Sequence, residues 1–108
     1  MTDCIFCKVA RGDAPSWKVY ENESTYAFLD INPVSRYHTL VIPKKHYQDI
    51  FDIEEKDLQA LIATVKKVAK YYKEHLGLED IQIISNSGAA AQQTVFHLHF
   101  HIVPRHHG

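Results

Sequence analysis

Residues 97–103, His-Leu-His-Phe-His-Ile-Val, alternate imidazole with apolar side chains. Side chains two apart share one face of a β-strand. The pattern therefore reads as a strand with a histidine face and a core face. His97, His99 and His101 stand in a row, with neighbours about 6.5–7 Å apart. Leu98, Phe100 and Ile102 point the other way and pack on a helix. That helix is read at residues 54–76, where Leu58, Leu61, Ile62, Val65, Val68, Ala69, Tyr72 and Leu76 recur at three- and four-residue steps. Asp52 and Glu55 have the spacing of a capping pair, and Gly77 supplies a terminator.

The rest of the chain reads as short elements. Residues 4–11 form a short helix ending near Gly12, and Ala14-Pro15-Ser16 breaks it. Residues 17–20 and 25–29 are rich in aromatic and β-branched side chains and flank Glu21-Asn22-Glu23-Ser24, the signature of a hairpin. Asp30-Ile31-Asn32-Pro33 is a turn. Residues 38–42 are a strand stopped by Pro43. Residues 81–85 form a strand, 86–93 a polar loop, and 94–103 the last strand. Consecutive strands joined by short turns favour an antiparallel sheet with the helix on one face, an α+β domain. With 108 residues the chain is one domain, residues 1–108, and its core is small enough for oligomerisation to help stability.

A net charge of −1 excludes a basic nucleic-acid footprint. No apolar run reaches membrane-spanning length, and no basic segment followed by an apolar one opens the chain. A cytoplasmic protein is expected, so Cys4 and Cys7 are read as thiols or metal ligands rather than a disulfide.

Three readings of the histidine strand compete. A solvent-facing polar surface would be served as well by Lys, Glu or Thr. Three histidines can ligate a catalytic zinc. A neutral imidazole can also attack an electrophilic phosphorus while its neighbours handle protons. The residues alone do not separate the last two readings.

His-Leu-His-Phe-His-Ile-Val matches, position by position, the signature of the histidine triad, or HIT, family. Residues 4–15, 19–33, 38–46 and 85–105 resemble family segments in the family's order. The closest resemblance is to Hint-type nucleotide phosphoramidases of the prokaryotic kind, with a CxxC near the start. The resemblance implies a five-stranded antiparallel sheet with one long and one short helix, and a homodimer whose sheets join. In such a dimer the long helix could form the interface, with Tyr71-Tyr72 partly covering the partner.

The resemblance also implies roles. His99 matches the nucleophile. His101 matches the histidine that contacts phosphate oxygens and, as an imidazolium, could stabilise charge there. His38 matches a fourth active-site histidine that orders the triad. Thr94 stands where the family has a hydroxyl for phosphate or leaving group, and Asn86 matches an asparagine nearby. Many relatives carry a glycine before the glutamine at Gln93; here Gln92 stands there. Asp30 matches the acid on the ribose hydroxyls, and Ile5, Phe6, Phe28 and Ile31 match the apolar walls around the base. Cys4, Cys7, His46 and His97 match a structural zinc site.

The function implied is hydrolysis at the α-phosphate of purine nucleoside 5′-phosphoramidates through a nucleotidyl-histidine, acting on AMP- or GMP-type substrates with no organic cofactor. The competing readings are a dinucleoside polyphosphate hydrolase, a nucleotidyltransferase, a nucleotide-binding adaptor with incidental catalysis, and a mononuclear zinc hydrolase. A histidine at position 101, where a transferase tends to carry glutamine, weighs against the transferase.

Overall fold

The computed structural model describes residues 4–106. Helix α1, Ile5–Arg11, begins at Cys4, whose Sγ accepts the Cys7 N–H, and ends where Gly12 takes a left-handed conformation at φ 83°. Strands β1, Lys18–Glu21, and β2, Thr25–Leu29, form the expected hairpin. Asn22 Oδ1 closes its turn by accepting from the N–H groups of Ser24 and Thr25 and from the Thr25 hydroxyl. Strand β3 is Thr39–Pro43, helix α2 is Glu55–Leu76, β4 is Asp80–Ile84 and β5 is Phe100–Arg105. The five strands form one antiparallel sheet in the order β1-β2-β3-β5-β4.

Period two explains why β2 and β3 are apolar almost throughout. Ala27 and Val41 face α2, where they meet Leu61, Val65, Val68 and Tyr72 together with Leu98 and Ile102. Tyr26, Phe28, Leu40 and Ile42 face the other way and meet Phe6 and Val9 of α1. Both faces of the sheet centre are thus covered, whereas the sequence placed a helix on one face only. The α1 face carries the site, because Phe28, Leu40 and His101 are direct cross-strand neighbours on it.

Three expectations need correction. The last strand was placed at 94–103, but the ladder with β3 opens beyond the Val41–Phe100 pair. Pro43 has no N–H to donate, and its carbonyl accepts instead from the His97 ring. The Asp52–Glu55 capping pair does not form. Asp52 Oδ2 accepts from the Gln48 N–H, and the helix starts at Glu54 with no side-chain cap. Tyr72 is not available to a partner, being 2% exposed with its hydroxyl bonded to Thr39 Oγ1 at 2.6 Å. Only Tyr71 of the pair faces outward, stacked on His75. The terminator was read correctly: Gly77 closes α2 at φ 68°. Among the described residues no helix is long and apolar enough to cross a membrane.

Candidate active site and metal centre

A cleft of about 530 Å³ opens on the α1 face. Ile5, Phe6 and Val9 of α1 and Phe28 and Leu40 of the sheet give it an apolar wall. Ser16, Asp30, Asn32, Thr94, His99 and His101 supply its polar side chains. A recess of similar size along Glu79–Gln82 and Arg105 is a shallow groove without an apolar wall or a histidine. The mixed cleft is the one suited to a ligand with a flat apolar part and a charged part.

Backbone groups, directly or through the His38 ring, fix the tautomers of His38, His99 and His101. A carbonyl can only accept, so the 2.8 Å contact from His99 Nδ1 to the His97 carbonyl puts the His99 proton on Nδ1. The lone pair is then on Nε2, the nitrogen left for the cleft. A peptide N–H can only donate, so the 3.0 Å bond from Val34 N to His38 Nδ1 puts the His38 proton on Nε2. That proton is donated to His101 Nδ1 at 2.9 Å, with Asp30 Oδ2 at 3.5 Å. His101 must therefore carry its own proton on Nε2. His99 and His101, with ring centroids 4.9 Å apart, present a lone pair and an N–H side by side.

These assignments hold for neutral rings, and burial makes the rings neutral. Desolvation lowers His38 and His99 from their ordinary range. Burial, reinforced by His99 and His38, pushes His101 down to about 4. In the ligand-free cleft His101 is therefore a neutral ring with an N–H to donate from Nε2.

Two groups of side chains have ligand chemistry, and they differ in fit. Cys4 Sγ and Cys7 Sγ lie 3.4 and 3.5 Å from His97 Nδ1, and Cys7 Sγ lies 3.3 Å from His46 Nδ1. Tetrahedral zinc with ordinary bond lengths sets sulfur and nitrogen donors about 3.5 Å apart. His97 Nε2 donates to the Pro43 carbonyl at 2.8 Å, so the His97 lone pair is on Nδ1, facing the thiols. This carbonyl-anchored histidine is the arrangement a metal ligand needs. Asp30, His38 and His101 also cluster, but they do not fit a cation. Val34 needs the Nδ1 lone pair of His38, so Nε2 must keep its proton. That group is a hydrogen-bond relay.

The profile of the HIT domain matches residues 11–108. The protein belongs to the HIT family. An uncharacterized HIT-like protein of Methanocaldococcus jannaschii is 47% identical over 105 residues, which span 97% of this chain and 81% of that one. An adenosine 5′-monophosphoramidase of Schizosaccharomyces pombe is 41% identical over 102 residues, spanning 94% of this chain and 74% of its own. A zinc-bound histidine triad family protein from Mycobacterium smegmatis has a TM-score of 0.93 at 42% identity, covering 98% of this chain and 77% of that one.

In this HIT protein most of the residues singled out from sequence converge. Ile5, Phe6, Phe28, Asp30, Ile31, Thr94, His99 and His101 line the cleft, and His38 touches it through His101. Asn86 is half-buried and outside the lining. Gln93 is 4% exposed and its amide is fully used. Oε1 accepts from the Gly88 N–H, and Nε2 donates to the carbonyls of Gln48 and Val95. Its side chain braces the loop. Gln92 takes a left-handed conformation at φ 72°, one that favours glycine. The sequence reading missed Ser16 and Asn32 in the cleft. It also missed the backbone groups of Val34, Pro43 and His97, which set the tautomers. Pro43 was the available signal, since it closes β3 and has no N–H to continue a ladder.

Proposed function

We propose that the protein hydrolyses purine nucleoside 5′-phosphoramidates at the α-phosphorus through a nucleotidyl-His99 intermediate. The observation that carries this reading is the His99 Nδ1–H held on the His97 carbonyl, which leaves Nε2 as the nucleophilic atom. The base lies between Phe6, Phe28 and Ile5, and Asp30 accepts from the ribose hydroxyls. His99 Nε2 bonds to phosphorus and the phosphorus–nitrogen bond to the amine breaks. The imidazole then carries positive charge, which strengthens its Nδ1–H bond to the carbonyl. His101 Nε2–H and the Thr94 hydroxyl donate to the phosphate oxygens, and the amine leaves with one proton taken up from solvent. Water then attacks phosphorus and returns one proton to solvent, the bond to His99 breaks, and the nucleoside monophosphate leaves with a neutral ring restored.

Cys4, Cys7, His46 and His97 hold a structural zinc in this reading. All four positions are taken by protein, so the metal ties α1 to the sheet and offers no open position for substrate. The zinc-bound relative supports the assignment. The phosphoramidase relative supports the substrate class. Exposed Ile62 of α2 and Ile83 and Ile84 of the edge strand β4 support a homodimer along that side. The CxxC thiols suit the reducing cytoplasm.

The test is hydrolysis of an adenosine 5′-phosphoramidate carrying a fluorescent amine, by wild type and His99→Ala side by side. Turnover by wild type alone is expected. Turnover by both would remove His99 as nucleophile. AMP binding without turnover by either would move the reading to dinucleoside polyphosphates or to an adaptor role.

A further inference from the structure

His97 joins the two centres through its two ends. Its ring faces the thiols through Nδ1 and is anchored on the Pro43 carbonyl through Nε2. Its own peptide carbonyl is the acceptor that holds the His99 Nδ1 proton, at 2.8 Å. The residue is 0% exposed, so no water stands in for either partner. A second contact runs in parallel. Phe6, on the same helix turn as the two cysteines, packs edge-on against both rings, with centroids 6.0 Å from His97 and 5.1 Å from His99.

We infer that the Cys4–Cys7–His46–His97 centre positions the nucleophile, and that His97 is the positioning residue between metal and His99. The inference rests on reading those four side chains as a metal site. A metal on Nδ1 adds a second fixed point to a ring otherwise held at Nε2 alone. A residue fixed at both ring nitrogens presents its carbonyl at one place. Removing the metal lets the ring swing about the Pro43 bond and carries the peptide with it. The His99 Nδ1–H then loses its aligned acceptor, and the tautomer with its lone pair on Nε2 is no longer imposed. The loss falls on attack at phosphorus and not on the base or ribose contacts. It therefore appears in kcat and leaves KM nearly unchanged. The same His97 carbonyl links the two centres in the other direction, so a phosphate group that contacts His99 should alter the metal's spectrum without changing metal affinity.

The experiment uses the full chain in zinc-loaded, chelator-stripped and cobalt-loaded forms, with metal content measured for each. For the stripped protein we expect kcat on the fluorescent phosphoramidate to fall about 10- to 100-fold, the range for loss of a group that orients a site residue. KM should stay within about threefold on the same argument, and added zinc should restore kcat. Nitrogen-15 spectra of the imidazoles should show His99 leaving a single Nδ1–H form on stripping. Cys7→Ser should reproduce the loss without rescue by zinc. In the cobalt form, saturating AMP, verified by calorimetry, should shift the visible absorption bands. A stripped protein that is folded, turns over at the wild-type rate and keeps the His99 tautomer overturns the inference. Should stripping unfold the chain, cobalt bands that do not move under saturating AMP overturn it equally. Purified protein that binds no metal overturns the zinc reading along with it. Bound metal with an indifferent His99 overturns the coupling alone.

Discussion

Replacing His38 by Phe tests the hydrogen-bond relay behind the site. His38 is 4% exposed and makes no contact with the cleft, so a phenyl ring of similar size fills its place without touching substrate. Three contacts are lost. The Val34 N–H loses its acceptor at 3.0 Å, but Val34 is 62% exposed and water can replace it. Asp30 loses a 3.5 Å neighbour. The loss that matters is at His101, whose Nδ1 gives up a 2.9 Å donor inside the protein. An unmade bond to a buried acceptor costs about 1–3 kcal/mol. If that cost falls on the tautomer needed for donation to phosphate, kcat drops by about 5- to 150-fold. KM stays within about threefold, because base and ribose contacts are intact. Steady-state kinetics on the fluorescent phosphoramidate measures both constants, and nitrogen-15 imidazole spectra read the His101 tautomer directly. A kcat within twofold of wild type, or a His101 proton that stays on Nε2 without His38, would refute the relay.

Asp30→Ala is expected to weaken AMP binding by upwards of about 100-fold, the loss of two hydrogen bonds to a charged acceptor at about 1.5–3 kcal/mol each; equal affinity by calorimetry would sink the ribose role. Gln92→Gly should stabilise the fold by about 0.5–1 kcal/mol in urea unfolding, because φ 72° costs a side chain more than the freedom glycine gains in the unfolded chain. Acid should destabilise the protein in a defined window. Burial holds His101 at about 4 and His38 below its ordinary range, while both titrate near 6.5 when unfolded. Unfolding therefore takes up protons between about pH 6.5 and 4, and stability falls as pH drops through that window, by up to roughly 1 kcal/mol per unit for each histidine. Urea midpoints that stay flat from pH 7 to 4.5 would contradict the buried, neutral rings.

The elements legible in the sequence were those with a strong period. The three- and four-residue spacing of α2 located it to within one residue at its start and correctly at its end, and the alternation of 97–103 placed Leu98 and Ile102 against it. Site residues on strands and on α1 were legible because motif and face agree. What escaped depends on partners that no side-chain pattern announces. The start of β5 is decided by a proline carbonyl turned toward a ring, and the tautomers by one carbonyl and one N–H. The charge of His101 escaped for a related reason. An alternating strand shows which face a histidine occupies, but not that α1 and His38 close over it. The loop-bracing contacts of Gln93 escaped because an amide can bind a ligand or brace a loop with the same atoms.

The position of β5 bears on how the chain can fold. It lies C-terminal to every other described element, yet it sits between β3 and β4. The hairpin β1-β2 and strand β3 can pair as soon as they are made. β4 cannot, because its ladder partner is β5, and β5 also carries His101 and, through Ile102, part of the packing beneath α2. On a ribosome, α2 can settle on β2 and β3, but β4 must wait unpaired until the final strand emerges. Closure then joins both parts of the sheet in a single late step of high sequence separation, which slows folding relative to a sheet assembled in chain order. A chain cut short before Phe100 would lose the β4 pairing, part of the α2 packing and His101 together, and would leave β3 as an aggregation-prone open edge.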